Sequence, residues 1–206
     1  MNIAVKICGI TRAGDALLAE EMGARAIGFV FFKDSPRYII PEKAGEISGN
    51  LGPFTARVGV FVDEEPDTVI STARTARLTA VQLHGSESRE YIGSLKGLNV
   101  IKAFRIGNDF DPGILKQFNA GAFLLDAYSS DAYGGTGKTF DWRIARKCSE
   151  YGRIIIAGGL NASNINEAVR IARPWGVDVS SGIESSPGIK DSEKMRSFFH
   201  SVAKTL

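Results

Sequence analysis

The alternation of short apolar runs with longer amphipathic segments is the feature that most constrains how this chain folds. Eight such runs occur along its 206 residues, and a segment with helical spacing follows each. The runs are apolar throughout, which is typical of parallel strands buried on both faces. Strands alternating with helices in this way indicate the α/β class. They are predicted at 3–8, 26–32, 57–62, 80–83, 99–104, 122–125, 154–157 and 177–180.

The segments between the runs carry start and stop signals of helices. Thr11 is expected to cap the first helix, which runs to about residue 22 and stops at Gly23. Pro41 and Pro66 suit the first turns of two further helices, and Asp141 suits an N-cap. Helical segments are also predicted at 88–95 and 111–118, and apolar residues at i, i+3, i+4 and i+7 indicate the last two helices.

Eight strand and helix units close most simply into a (β/α)8 barrel, the TIM-barrel fold. This fold needs at least about 200 residues, so the sequence predicts a single domain over residues 1–206. A doubly wound open sheet is the structural alternative. The barrel is favoured because no glycine-rich dinucleotide turn follows the first strand.

The balance of charge bears on the possible partners. The chain has 25 lysine and arginine residues against 23 acidic ones, scattered without a block of like sign. We therefore expect no nucleic acid or membrane partner. The lack of a secretory pattern and of a long apolar segment predicts a cytoplasmic protein. A monomer or a homodimer is expected. Cys8 and Cys148 form no CxxC pair and have no histidine at ligand spacing, so no disulfide or metal site is expected.

Most polar groups able to do chemistry follow the carboxyl ends of the predicted strands. In a (β/α)8 barrel these ends share one rim, and that rim carries the active site. Asp178, inside the last strand, should be paired or should face this site. The other candidate residues at the rim are Cys8, Arg37, His84, Asp126, Gly158, Gly159, Ser181 and Gly182.

Two glycine-containing turns give the clearest chemical signal. Gly158 and Gly159 follow the seventh strand, and Ser181 and Gly182 follow the eighth, where a short extra helix can begin. Backbone N–H groups in such turns bind phosphate in many barrels. The pair of turns predicts a phosphate site, with ordinary tight turns as the alternative.

Several other candidates have a structural alternative. Cys8 is either a small buried hydrophobic residue or a reactive thiol. Asp126 can cap a helix or form a salt bridge as readily as act in catalysis. His84 can serve as a structural hydrogen-bond donor. Arg37 can be exposed, although a planar guanidinium at the rim suits a carboxylate.

The segment from Tyr133 to Thr139 is rich in glycine and ends in Gly-Lys-Thr, like a nucleotide-binding P-loop. The match fails because Ala132 stands where the first glycine of that motif belongs. The segment is predicted to be a flap over the site, with a plain surface loop as the alternative.

Taken in order, these motifs resemble those of the phosphoribosylanthranilate isomerase family. The likeness includes Lys-Ile-Cys-Gly-Ile-Thr at 6–11, Ser-Pro-Arg-Tyr-Ile at 35–39, Gln-Leu-His-Gly at 82–85 and Val-Asp-Val-Ser-Ser-Gly-Ile-Glu at 177–184. It extends to residues 28–31, 125–126, 134–137 and 157–160. The resemblance runs nearly end to end and shows no departure at a catalytic position.

The resemblance implies a cofactor-free Amadori rearrangement in tryptophan biosynthesis. An aminoaldose, N-(5′-phosphoribosyl)anthranilate, becomes an aminoketose, 1-(2-carboxyphenylamino)-1-deoxyribulose 5-phosphate. Asp126 would be the general acid and Cys8 the general base. Arg37 would bind the anthranilate carboxylate, and the turns at Gly159 and Ser181 the phosphate. His84, Gly158, Asp178 and Gly182 complete the predicted substrate contacts.

The two predicted catalytic groups need opposite tuning. A free aspartic acid has a pKa of about 3.9 and a free thiol one of about 8.5. Asp126 would therefore need partial burial to hold its proton, while Cys8 needs help to lose one. Lys6 lies two residues before Cys8, on the same face of the strand, and is expected to favour the thiolate.

Two other functions stay open. Another phosphate-binding barrel of tryptophan or histidine biosynthesis, such as indole-3-glycerol-phosphate synthase, typically uses lysine and glutamate or a pair of aspartates, whereas the first strand here ends in Cys8. A non-catalytic phosphosugar-binding protein would keep the phosphate turns and lose the acid and the base. The presence of both Cys8 and Asp126 argues against it.

Overall fold

The computed structural model describes residues 3–107, 109–127 and 139–205. Within these residues, eight parallel strands form a closed barrel in chain order. The first and eighth strands pair, from Ala4 opposite Gly176 to Ile7 opposite Val179. This pairing confirms the (β/α)8 barrel and overturns the open doubly wound alternative. The flap predicted at 133–139 lies outside the described residues except for Thr139.

The strands and helices follow the predicted order. The strands are β1 (Ala4–Ile7), β2 (Ala26–Val30), β3 (Ala56–Phe61), β4 (Ala80–Leu83), β5 (Val100–Ile106), β6 (Ala122–Ala127), β7 (Ile154–Ile156) and β8 (Gly176–Val179). The α-helices are α1 (Ala13–Glu21), α2 (Pro41–Gly49), α3 (Pro66–Thr75), α4 (Arg89–Ser94), α5 (Trp142–Cys148), α6 (Ile165–Ala172) and α7 (Ser192–Ala203). In the described ranges, no helix has the length and apolar character needed to cross a membrane.

Two segments differ from the prediction. Residues 111–118 contain a 3-10 helix, Pro112–Gln117, rather than an α-helix. Proline and glycine fill its first two positions, and glycine is a poor α-helix former. After β8, the 3-10 helix Ser181–Ile183 leads into an antiparallel hairpin of β9 (Glu184–Ser186) and β10 (Ile189–Lys190). Strands this short carry too little alternation to be recognised in a sequence.

The ends of the helices show which local sequence signals are sufficient to predict where a helix begins or ends. Proline opens α2 and α3 as predicted, and Asp141 caps α5 by accepting a hydrogen bond from the Arg143 N–H. Gly23, with a φ of +95°, follows the first helix. The predicted cap at Thr11 is wrong, because its hydroxyl donates to the carbonyl of Gly188, 2.6 Å away in the turn of the hairpin.

Two apolar layers fill the fold, because successive strand residues point to opposite faces of the sheet. The outward residues pack beneath the helices, and Phe29, Phe61 and Leu83 are fully buried there. The inward residues form a smaller cluster of Ala103, Ala122, Leu124, Ile155 and Ala157. This inner cluster leaves the carboxyl end of the barrel to polar side chains.

Candidate active site

The carboxyl ends of the strands open into one pocket at the rim. Parallel strands carry residues that are far apart in sequence to this common edge. The structure also places Gln82, which the sequence did not single out, in its lining. All nine predicted site residues line the pocket: Cys8, Arg37, His84, Asp126, Gly158, Gly159, Asp178, Ser181 and Gly182.

Cys8 lies just beyond β1 and is buried close to two cations. Lys6, on the same face of the strand, places its Nζ 3.0 Å from Asp178 Oδ1 on β8. Lys190 Nζ donates to the Cys8 carbonyl at 2.6 Å. Gly28 on β2 makes room for this arrangement, since a Cβ there would lie 2.9 Å from Cys8 Sγ and 3.1 Å from Lys6 Cε. The position of the thiol is therefore fixed by close packing.

Burial raises the pKa of the Cys8 thiol above its usual value. Lys6 and Lys190 lower this pKa and Asp178 raises it, and the sum stays above the usual value. Lys6 thus acts in the predicted direction without overcoming burial. Burial also opposes the charge of Lys6, but Asp178 and Cys8 outweigh it and raise the pKa of Lys6.

Asp126 lies near the end of β6, where its Oδ2 is 3.3 Å from Nε2 of His84. The two side chains are 7% and 11% exposed. His84 Nδ1 lies 2.9 Å from Nε2 of Gln82 on β4. Gly158, with a φ of +80°, lets the loop after β7 approach the carboxyl group, since a Cβ there would lie 2.7 Å from Asp126 Oδ1. The acid candidate is therefore enclosed by an imidazole and by backbone.

The two predicted phosphate turns are in direct contact. Gly159 has a left-handed backbone with a φ of +62°, and Ser181 and Gly182 begin a 3-10 helix. A Cβ on Gly182 would collide with the carbonyl oxygen of Leu160. The first N–H groups of a helix have no acceptor within it, so those of Ser181 and Gly182 suit an anion.

Arg37, in the loop between β2 and α2, forms a two-bond ion pair with Glu184 on β9. Its Nε lies 2.9 Å from Oε1 and its Nη2 2.7 Å from Oε2. Glu184 also accepts from Lys190 Nζ at 2.8 Å. Burial opposes the charge of Glu184, but the two cations outweigh it and lower its pKa. The guanidinium is therefore held at the pocket with Nη1 outside this ion pair.

Sequence reasoning missed three of these neighbours. Gln82 had a usable signal, because a glutamine inside an apolar run must find a polar partner when buried. Glu184 appeared only as the last residue of the motif at 177–184 and was given no role. Lys190 had no signal, because its contact with Cys8 joins residues 182 positions apart.

The fold and the pocket define a class: a (β/α)8-barrel protein whose carboxyl rim brings a buried thiol and a buried carboxyl group to one pocket. The family model described as N-(5′-phosphoribosyl)anthranilate (PRA) isomerase matches residues 5–201. The chain belongs to this family.

Similar proteins cover the chain almost entirely. N-(5′-phosphoribosyl)anthranilate isomerase of Geotalea uraniireducens is 52% identical over 94% of this chain and 95% of its own length. That of Trichlorobacter lovleyi is 49% identical over 99% and 100%. The crystal structure of the Thermus thermophilus protein, 40% identical, has a TM-score of 0.92 over 99% of this chain and 100% of its own. Another solved isomerase, 40% identical with a TM-score of 0.87 over 98% and 99%, is in complex with reduced 1-(o-carboxyphenylamino)-1-deoxyribulose 5-phosphate.

Proposed function

We propose that Cys8 and Asp126 catalyse the Amadori rearrangement of N-(5′-phosphoribosyl)anthranilate to 1-(2-carboxyphenylamino)-1-deoxyribulose 5-phosphate in this pocket. Family membership makes the chain an isomerase of tryptophan biosynthesis that acts on a small molecule. The observation that carries the residue assignment is that a buried thiol and a buried carboxyl group line one pocket beside two adjacent backbone turns.

The two ends of the substrate are held by different chemistry. The phosphate is bound by backbone N–H groups of Gly159, Ser181 and Gly182, which lie on the two touching turns. The anthranilate carboxylate is bound by the guanidinium of Arg37, which lines the same pocket. Binding at both ends keeps the ribose between the acid and the base, where proximity accelerates the reaction.

The first step opens the furanose ring. Asp126 gives its proton to the ring oxygen, the bond from that oxygen to C1′ breaks, and the anilino nitrogen forms a Schiff base with C1′. Asp126 is left as a carboxylate facing His84. The ring must therefore lie with its oxygen toward β6.

The second step moves a proton from carbon. Cys8, as the thiolate, removes the C2′ proton, and the electron pair shifts to give an enolamine that tautomerises to the ketone. The substrate gains one proton from Asp126 and loses one to Cys8, so the product is an isomer of the substrate and the reaction needs no external oxidant or reductant. Because burial raises the pKa of Cys8, its thiolate is scarcer at neutral pH but is a stronger base when it forms.

The direct test adds the pure protein to N-(5′-phosphoribosyl)anthranilate and follows the fluorescence of this substrate with no added cofactor. We expect the signal to fall and an equal amount of the aminoketose to appear by chromatography. Binding without formation of this product would contradict the proposal and favour a phosphosugar-binding protein.

We also propose a location and an oligomeric state for the enzyme: it acts in the cytoplasm, as a monomer or a homodimer. One chain supplies every residue assigned to the pocket. A related isomerase from Thermotoga maritima is described as dimeric, with monomers generated from it.

A further inference from the structure

Gln82 is a buried amide on β4 to which the mechanism above gives no role. Gln82 is only 1% exposed to solvent. Its Nε2 lies 2.9 Å from His84 Nδ1, whereas its Oε1 is buried without a hydrogen-bond partner among the described residues. An unsatisfied buried acceptor is unfavourable, so this orientation of the amide needs a compensating contact. The contact with His84 is the one the structure shows.

The orientation of Gln82 determines which nitrogen of His84 carries the proton. An amide nitrogen only donates, so His84 Nδ1 accepts, and the neutral ring is protonated on Nε2. That nitrogen faces Asp126 Oδ2 at 3.3 Å, but the alignment falls short of a hydrogen bond in the resting protein. The three side chains thus form a row that ends on the acid.

We propose that Gln82 is a positioning residue that keeps the His84 proton on Nε2, where it is donated to the Asp126 carboxylate as this charge forms. The proposal rests on the assignment of Asp126 as the general acid. While Asp126 holds its proton, the contact with Nε2–H is loose. Once the proton has moved to the ring oxygen, the carboxylate accepts a charge-assisted hydrogen bond. An interaction that strengthens only as charge develops raises kcat and leaves KM nearly unchanged.

The first test reads the protonation of the ring directly. The chain has two histidines, His84 and the exposed His200, so nitrogen-15 NMR of the whole protein at alkaline pH resolves them. We expect the His84 proton on Nε2 in the unsubstituted protein and a mixture of both tautomers in Gln82→Met, with His200 unchanged. A proton on Nδ1 in the unsubstituted protein would overturn the proposal even if Gln82→Met fails to fold, and so would an unchanged tautomer in a folded Gln82→Met.

The second test asks whether Gln82 acts through His84. Gln82→Met should lower kcat about tenfold and change KM less than about twofold. In a His84→Phe background the same substitution should change kcat less than about twofold, because interacting residues are not additive. An equal tenfold loss in both backgrounds would overturn the proposal in favour of a packing role.

Leu124→Met is the matched control. Leu124 is a fully buried member of the inner apolar cluster, and an exchange of leucine for methionine conserves volume. We expect this variant to keep kcat and the His84 tautomer. The NMR result is independent of catalysis, so a failure of the acid assignment, seen as full turnover of Asp126→Asn, is distinguishable from a failure of the role of Gln82.

Discussion

The two sides of the pocket are constructed from different interactions. Next to β1 and β8, the thiol of Cys8 is surrounded by fixed charges, with Lys6 bound to Asp178 and Lys190 bound to the Cys8 carbonyl. Next to β4 and β6, Asp126 faces a row of side chains in which Gln82 Oε1 and His84 Nε2 lack hydrogen-bond partners within the described chain. On the side with the base, no buried side-chain nitrogen or oxygen of Lys6, Asp178 or Lys190 lacks a hydrogen-bond partner within the described residues. The side with the acid has two such unsatisfied atoms.

This difference indicates how each group is controlled. Burial, together with charges held in place, sets the proton affinity of Cys8 before the substrate arrives. The partners of Asp126 instead gain bonds when the reaction changes its charge. Substitutions that remove one of these contributions at a time test the difference between the two sides of the pocket.

The largest effect is expected on the side of the acid. Asp126→Asn keeps the shape of the side chain but removes the proton that opens the ring, and turnover should fall by ~10²-fold or more. Steady-state kinetics with N-(5′-phosphoribosyl)anthranilate measures it. Near-normal turnover would contradict the role of Asp126 as acid.

A loss of similar size is expected on the side of the base. Cys8→Ala removes the group that takes the C2′ proton, so kcat should also fall by ~10²-fold or more. Cys148→Ala is the control, because Cys148 is also buried but lies on α5 in the outer core, where burial raises its pKa to about 11. Equal activity of the two variants would show that the Cys8 thiol is not the base.

A smaller effect is expected where the substrate is held. Arg37→Ala should raise KM about tenfold or more by removing charge-assisted hydrogen bonds to the anthranilate carboxylate. Arg89→Ala, at an arginine whose side chain is 68% exposed, should leave KM unchanged. A fall in kcat larger than the rise in KM would instead mean that Arg37 acts on Cys8 through Glu184 and Lys190.

The smallest effects are shifts along the pH axis, and their signs are opposite. Lys6 lowers the pKa of Cys8, so Lys6→Ala should raise this pKa and move thiolate-dependent activity to higher pH. Asp178 raises the same pKa, so Asp178→Asn should move the activity to lower pH. Thiol titration in a Cys148→Ala background, together with the pH profile of kcat/KM, measures both. A Cys8 pKa that neither substitution changes would contradict control by fixed charges.

The barrel was predictable because its strands are buried on both faces and therefore carry continuous apolar runs. The residues at which the strands end were less predictable than the barrel itself. The run at 26–32 continues past β2, which ends at Val30, because Phe31 and Phe32 remain apolar after the ladder has ended. The first cap was misassigned because Thr11 has a partner, Gly188, that lies 177 positions away.

The candidate site was predictable as far as the strand order allowed. Once the barrel is assumed, every strand end falls on one rim, and the nine chosen residues do line one pocket. The hydrogen-bond and ion-pair partners of these nine residues were not predictable, because they depend on contacts between residues far apart in the sequence. The ion pair of Arg37 with Glu184 joins residues 147 positions apart and requires a hairpin that no pattern indicated.

Glu184 has a consequence for how the whole rim responds to an occupant. Its single carboxylate is paired both with the guanidinium of Arg37, which is proposed to bind the anthranilate, and with the ammonium of Lys190, which donates to the Cys8 carbonyl. An anion that binds Arg37 competes with Glu184 for the guanidinium. The ion pair between Glu184 and Lys190 changes as a result. Substrate recognition by Arg37 and the reactivity of Cys8 are therefore linked through Glu184, and a substitution of Glu184 is expected to impair both.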